Sequence, residues 1–337
     1  TTEIYTLSLH DALPIYYQEA IGIFQANESG QEWICNALQS LGANQYLSGH
    51  AARKIPNAKK IAESISFQMS AYQSLSESLR LCREYSLSPY LPECLYRLGR
   101  VIAEIGDLRD EVKGFKPLSS QDKVDINNAN KSLKIFISKV LNEIDLPEED
   151  FWRTRRKLVF STPFKDLKQE KNLLGLAQRL CEIGYLEADA KERIHASLES
   201  LLEAIRFALR RKKYDEMERY AERVEFSKGI DYQEGLFVAL VNITLGDLLF
   251  EQTDYASALS KYKEYFPLLV RQKGYGFYRF DRHYDNLVNK INSLPEEKIK
   301  KGEWCRELYD SWTIQGLREI YPAIMIRLEG LVNSFKD

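Results

Sequence analysis

The sequence predicts an all-α protein, and three observations support that fold class. Apolar residues recur about every 3.6 positions in several segments, for example at Leu95, Leu98, Ile102 and Ile105, as they do on one face of a helix. Prolines stand where helices are expected to begin, because a proline in the first turn gives up no needed N–H group. No convincing run alternates apolar and polar residues between hairpin turns, so no β-strand is predicted.

Composition and charge narrow the class of protein further. The 337 residues are 44% apolar and 28% charged, with 17 glycines and 10 prolines, which is typical of a folded protein and excludes collagen-like and low-complexity classes. The 47 basic and 49 acidic residues give a net charge of −2, so no strong field attracts nucleic acid or an acidic membrane. The most apolar segment is too short to span a bilayer, and we expect no membrane partner.

The first fifteen residues resemble the translation of a sequencing adapter. Residues 1–15 read TTEIYTLSLHDALPI, and the chain lacks an initial Met. We expect this segment to be non-native, and the protein to be a fragment of a larger one whose N-terminal part precedes Tyr16. Without Glu3 and Asp11 the chain has 47 basic and 47 acidic residues.

A short motif recurs three times along the chain. It consists of a small residue next to or near a leucine, a large apolar residue three positions later, and then a second helical stripe. The residues that carry the three copies are Leu98, Gly99, Ile102 and Gly106; Ala177, Leu180 and Gly184; and Leu245, Gly246, Leu249, Tyr255, Ala258 and Tyr262. This pattern resembles the tetratricopeptide repeat (TPR), a helix pair of about 34 residues.

Each motif position has an expected physical role. The small Gly99, Ala177 and Gly246 are expected where two antiparallel helices approach closely. Gly106 and Gly184 are expected to take a positive φ and to end the first helix of their repeat. Since one such unit cannot bury its own apolar stripe, the resemblance implies a right-handed α-solenoid of stacked TPR-like helix pairs. The alternative is an ordinary helical bundle in which the spacing is accidental.

We divide the chain after the adapter-like segment into three parts. Residues 16–87 are predicted to be degenerate helical repeats, and residues 88–273 a TPR-like array with an insertion near 116–165. Residues 274–337 are predicted to be a divergent C-terminal helical cap. The order of a repeat, an aromatic-basic segment and a Trp-bearing helix resembles the C-terminal sensor region of bacterial STAND-type signalling NTPases. That resemblance implies a nucleotide-switch domain upstream.

The sequence shows no motif for catalysis, for a cofactor or for a metal. It contains no GxxxxGK[ST] loop, no HExxH and no CxxC. Cys35, Cys82, Cys94, Cys181 and Cys305 are scattered over apolar helical stripes, and we expect inert core thiols in a reducing, cytoplasmic compartment. We therefore predict that this chain is not an enzyme, and that any NTPase or effector domain would lie upstream.

The segment around residues 275–284 is the most suggestive candidate for partner binding. Tyr275, Tyr278, Arg279 and Arg282 alternate with a helical apolar stripe and offer stacking and hydrogen-bonding groups. The competing interpretation is that the aromatic residues of this segment pack in a core.

The leading functional hypothesis is a non-catalytic scaffold that binds a protein or peptide. The alternative is a nucleic-acid-associated helical repeat protein that uses the basic clusters at 153–157, 210–213 and 298–301 together with the 275–284 segment. The balanced charge favours the protein partner. The clusters also lie near predicted helix ends, and this position explains them without a ligand, because cations complement the dipole at a helix C-terminus.

Overall fold

The computed structural model describes residues 15–25, 30–53, 57–144, 172–189, 194–217, 219–220, 232–271, 277–294 and 298–335. Every regular element in these ranges is a helix and none is a strand, so the all-α prediction is confirmed. Within them, no helix has both the length and the apolar character to cross a membrane. The chain forms two units, Thr1–Lys212 (unit 1) and Lys213–Asp337 (unit 2). Their boundary falls inside the 88–273 segment that the sequence assigns to one array.

Unit 1 is built from long helices that pack mainly on their chain neighbours. The described helices are α1 (residues 15–25), α2 (Gln31–Arg53), α3 (Ala58–Glu84), α4 (Leu91–Gly114), α5 (Ser120–Glu143), α6 (Leu173–Asp189) and α7 (Ile194–Arg210). The helices α2 and α3 form a hairpin, α4 packs on α3, α6 packs on α4, and α7 packs on α6. Because α5 and α7 also contact α4, this helix lies at the centre of the unit.

Side-chain caps fix where two of these helices begin. Asn57 precedes α3, and its Oδ1 accepts a 2.8 Å hydrogen bond from the Lys60 backbone N–H. Ser119 begins α5 through a reciprocal pair of hydrogen bonds with Asp122. The helix that Asn57 begins continues without a break to Glu84.

The prediction that Gly106 and Gly184 end helices is wrong. Gly106 lies inside α4, which continues to Gly114, and Gly184 lies inside α6. Among the described glycines, a positive φ occurs at Gly30 and Gly316. A glycine permits a positive φ but does not impose it, and its cost within a helix is only about 1 kcal/mol. Buried side chains follow both glycines along their helices, and this continued burial outweighs that cost.

The small residues of the first and second motif copies instead form a seam between α4 and α6. A Cβ added to Gly99 would lie 2.8 Å from the Ala177 carbonyl oxygen, so the two backbones are in close contact there. Gly184 lies against the Pro92 carbonyl in the same way, and Gly106 follows Gly99 by seven positions on the same face. The contacts run in opposite order along the two helices, which are therefore antiparallel. The sequence assigns these two motif copies to the same helix position in separate repeats. In the structure, their helices pack directly on each other.

Unit 2 contains the remaining motif copy. Its described helices are a short piece at residues 214–217, α8 (Tyr232–Glu251), α9 (Tyr255–Val270), α10 (Phe277–Ser293), α11 (Lys298–Ile314), α12 (Leu317–Ile320) and α13 (Pro322–Ser334). In the copy that starts at Leu245, α8 ends, Thr253 takes a φ of 65°, and Asp254 caps α9. A Cβ on Gly246 would meet the Tyr262 ring at 2.8 Å. This copy is therefore a helix–turn–helix with the predicted close approach.

The core of unit 2 is aromatic. Trp312 is fully buried, its ring centroid lies 5.2 Å from that of Phe266, and its Nε1–H donates to the Tyr262 carbonyl at 3.4 Å. Tyr284 and Leu287 of α10 are also buried. The helix α9 contains Pro267 and continues three residues beyond it.

Candidate interaction surface on helix α4

The predicted partner-binding residues fall outside what the structure describes. Tyr275 precedes α10 and is outside the described ranges, while Tyr278, Arg279 and Arg282 lie within α10 but have side chains outside the described part. The basic cluster at residues 153–157 is also outside it. These assignments stay predictions.

The basic cluster at 210–213 is partly used inside unit 1. Arg210 ends α7 and forms an ion pair with Asp107, and Arg211 Nη1 donates to Gln178 Oε1 at 2.7 Å. This position at a helix C-terminus agrees with the expected dipole interaction. The cluster at 298–301 begins α11, so the same expectation is wrong there, because cations are disfavoured at a helix N-terminus.

A row of charged residues follows one face of α4. We call the residues Glu93, Arg97, Arg100, Glu104, Asp107 and Glu111 the charged stripe. Their spacing of three or four positions places them on a single helical face. All but Glu104 are partly exposed, whereas the other faces of α4 are largely buried. The stripe is therefore the face of the central helix α4 that is accessible to solvent.

Helix α2 flanks one side of the charged stripe. Arg53 donates from Nη1 to Glu104 at 2.9 Å and to Asp107 at 3.4 Å, and from Nε to Glu111 at 2.6 Å. His50 Nδ1 lies 3.4 Å from the Glu104 carboxylate. One arginine at the end of α2 thus connects three successive acids of the stripe.

Helix α7 flanks the other side. Arg100 Nη2 donates to Glu203 Oε1 at 2.7 Å, and Arg206 Nη1 donates to the same oxygen at 2.6 Å. Asp107, which Arg53 contacts from α2, also pairs with Arg210 from α7. Both flanking helices therefore meet α4 at this carboxylate.

The pKa values of three acids in this region are shifted in different directions by their surroundings. Burial opposes ionisation of Glu203, but the charges of Arg100 and Arg206 outweigh it and lower its pKa to about 2. Burial likewise opposes ionisation of Glu104, yet hydrogen bonds from the α2 side chains lower its pKa. At Asp107 burial is the stronger influence, and its pKa is raised in spite of two nearby arginines. Asp107 is thus the least firmly ionised of these three acids.

The charged stripe was not recognised from the sequence. Its signal was the spacing of charges from Glu93 to Glu111, which in an isolated helix predicts only a solvated face. The stripe is held in place by ion pairs with Arg53 and Glu203, which are distant from α4 in sequence. In the described part of the chain, no group of three His, Cys, Asp or Glu side chains is arranged to hold a metal ion.

Comparison with known proteins adds no assignment. No family model matches the chain, and a search of curated proteins finds no match. The TPR and STAND resemblances therefore depend on sequence motifs alone.

Proposed function

We propose that this chain is a non-catalytic scaffold that binds a protein or peptide partner, and that the charged stripe of α4 is the binding surface in unit 1. The observation that carries the proposal is a partly exposed row of charges between two flanking helices. From Glu93 to Glu111 the stripe is about 27 Å long at 1.5 Å per residue. An extended peptide of about eight residues has the same length.

The energetics of the stripe suit exchange of partners. The ion pairs of Arg53 with Asp107 and Glu111 join groups that are partly exposed on both sides. Such pairs contribute only about 0–1 kcal/mol each, so a partner can replace them at small cost. Arg97 and Arg100 lie towards one end, where Glu93 pairs with Arg97, and Glu104, Asp107 and Glu111 lie towards the other. A peptide with acidic groups at one end and basic groups at the other complements this order, and such complementarity gives specificity.

A role in signalling is the version of this proposal that the STAND resemblance suggests. Partner binding would then bias an upstream nucleotide switch, provided that the partner has different affinities for its two states. A nucleic-acid partner has less support, because a net charge of −2 provides no strong field to attract phosphate groups.

The test begins with selection of peptides from a displayed library against the full chain. Arg97→Gln and Glu111→Gln each remove a partly exposed charge of the stripe, one towards each end. We expect each variant to weaken binding of the selected peptides about tenfold, which corresponds to about 1.4 kcal/mol. The control is Arg80→Gln, which removes an exposed α3 arginine that pairs within its own helix. We expect this control to bind like the wild type.

Three results would contradict the proposal. Peptides that bind both stripe variants as tightly as the wild type would place the binding surface elsewhere. Oligonucleotide binding that weakens steeply with added salt would favour the nucleic-acid alternative. ATP hydrolysis by the purified chain would overturn its assignment as non-catalytic.

A further inference from the structure

Two cysteines from different helices of unit 1 are in direct contact. Cys35 lies in the second turn of α2 and Cys82 in the last turn of α3, 47 positions later, with 3.2 Å between their sulfur atoms. The chain connects α2 to α3 at the other end of this hairpin. The pair therefore lies at the open end, where no covalent link joins the two helices.

We infer that Cys35 and Cys82 are a redox-sensitive thiol pair that closes reversibly to a disulfide and fixes the open end of the α2–α3 hairpin. A disulfide bond is about 2.05 Å long, so the two sulfur atoms need to approach by about 1 Å. Since the two atoms lie on neighbouring packed helices, side-chain rotation and a small helix adjustment supply this movement.

The surroundings of Cys35 favour its thiolate. Ser78 Oγ lies 3.1 Å from its sulfur, and Gln39 Nε2 donates to it at 3.7 Å. The hydrogen bond with Cys82 lowers the pKa of Cys35 to about 7, although burial opposes ionisation. The same hydrogen bond, together with burial, raises the pKa of Cys82. Because the Gln39 amide donates to the Cys35 sulfur and Ser78 Oγ lies beside it, we assign Cys35 as the attacking thiolate and Cys82 as the thiol that resolves the intermediate.

The other cysteines have different surroundings. Cys94 donates its thiol to the Leu75 carbonyl at 3.1 Å, and burial raises its pKa to about 12. Burial also raises the pKa of Cys181, and it raises that of Cys305 to about 11. These three thiols agree with the expectation of inert core cysteines, and they serve as internal controls.

Helix α1 packs beside the pair. Ile21 and Phe24 of α1 pack on Ile34, Leu38 and Leu81, which are neighbours of the two cysteines along their helices. The α1 side chains that make these contacts are only partly buried, which is typical of an element that opens locally. Brief opening of α1 is the route by which a small oxidant reaches the buried thiols.

The oxidant is a small disulfide such as oxidised glutathione. The Cys35 thiolate attacks one of its sulfur atoms, its S–S bond breaks, and one glutathione thiolate leaves. Cys82 then loses its proton to that thiolate and attacks the Cys35 sulfur, which releases the second glutathione. The two protein thiols are oxidised to one disulfide, and one glutathione disulfide is reduced to two thiols.

The experiment incubates the full chain with oxidised glutathione and maps its thiols by mass spectrometry. Trypsin releases Cys82 in the peptide Leu81–Arg83, because Arg80 and Arg83 are cleavage sites. We expect this tripeptide to become linked to the peptide that contains Cys35 and to be released again by dithiothreitol. In unoxidised protein, we expect Cys35 to be alkylated at lower pH than Cys94.

Two variants complete the test. Cys35→Ser should prevent the cross-link and leave Cys82 reduced, whereas Cys94→Ser should leave the cross-link unchanged. Oxidation should raise the melting temperature of unit 1 by roughly 5–10 °C through the closed loop. A linkage that includes Cys94, stable glutathione adducts without a cross-link, or a fully reduced Leu81–Arg83 peptide after oxidation would overturn the inference. Because the wild-type map is independent of the variants, it remains decisive if a variant fails to fold.

Discussion

Replacement of Gly99 by alanine tests the seam between α4 and α6. The new Cβ would lie 2.8 Å from the Ala177 carbonyl oxygen and 2.9 Å from the Cys181 sulfur. Ordinary contact begins at about 3.4 Å, so the two helices must separate by about 0.6 Å. The opposing atom belongs to backbone and cannot rotate away, which makes this substitution a case of overpacking.

The expected loss follows from two opposing contributions. Overpacking of a core costs about 1–3 kcal/mol, and contact with backbone lies at the upper end of that range. The higher helix propensity of alanine relative to glycine offsets about 0.5–1 kcal/mol of this loss in unfolding free energy. We expect Gly99→Ala to lower the unfolding free energy of unit 1 by about 2 kcal/mol.

Gly106→Ala is the matched control on the same face of the same helix. Its Cβ would lie 3.5 Å from the Leu173 Cβ, an ordinary contact, so only the gain in helix propensity remains. We expect the control to be about 0.5–1 kcal/mol more stable than the wild type. Urea denaturation followed by circular dichroism measures both variants. Equal stabilities for the two alanine variants would refute the argument that close backbone approach gives Gly99 its role.

Two further predictions concern buried polar groups. Because the pKa of Glu203 is lowered to about 2, its ion pairs with Arg100 and Arg206 stabilise unit 1 above about pH 4.5, and this contribution is lost as the pH falls towards 2. In urea denaturation, the unfolding free energy of Glu203→Gln should therefore be about 2 kcal/mol lower than that of the wild type at pH 7 and nearly equal to it at pH 2. A difference in unfolding free energy that stays constant between these pH values would contradict this linkage. Tyr262→Phe removes the 2.7 Å hydrogen bond from the Tyr262 hydroxyl to Asp247 and should destabilise unit 2 by about 1 kcal/mol. Unfolding followed by tryptophan fluorescence measures this loss, and an unchanged midpoint would show that water replaces the bond without cost.

The sequence predicted local features of the fold well. The stripe of Leu95, Leu98, Ile102 and Ile105 is buried as its period indicates. The motif that starts at Leu245 forms its helix–turn–helix, because Thr253 and Asp254 supply the turn and the cap within a few residues. Such features depend on interactions between residues that are close in sequence, which a pattern can record.

The candidate sites could be predicted only in part. The composition of the aromatic-basic segment at 275–284 predicted a binding site, but its key side chains lie outside the described part of the structure. The charged stripe and the Cys35–Cys82 pair had no distinguishing spacing, since each depends on partners from other helices. Periodicity shows which face a residue occupies but not which helix that face meets.

Periodicity and small residues in the sequence were enough to predict a helical chain, its apolar faces and the positions that permit close packing. The packing of the helices was needed to learn that Gly99 meets Ala177, that Gly106 lies inside a helix, and that Arg53 and Glu203 flank α4. This division arises because helix formation follows from local hydrogen bonds and periodic burial. The choice of neighbours depends instead on how whole apolar faces fit together across long stretches of chain.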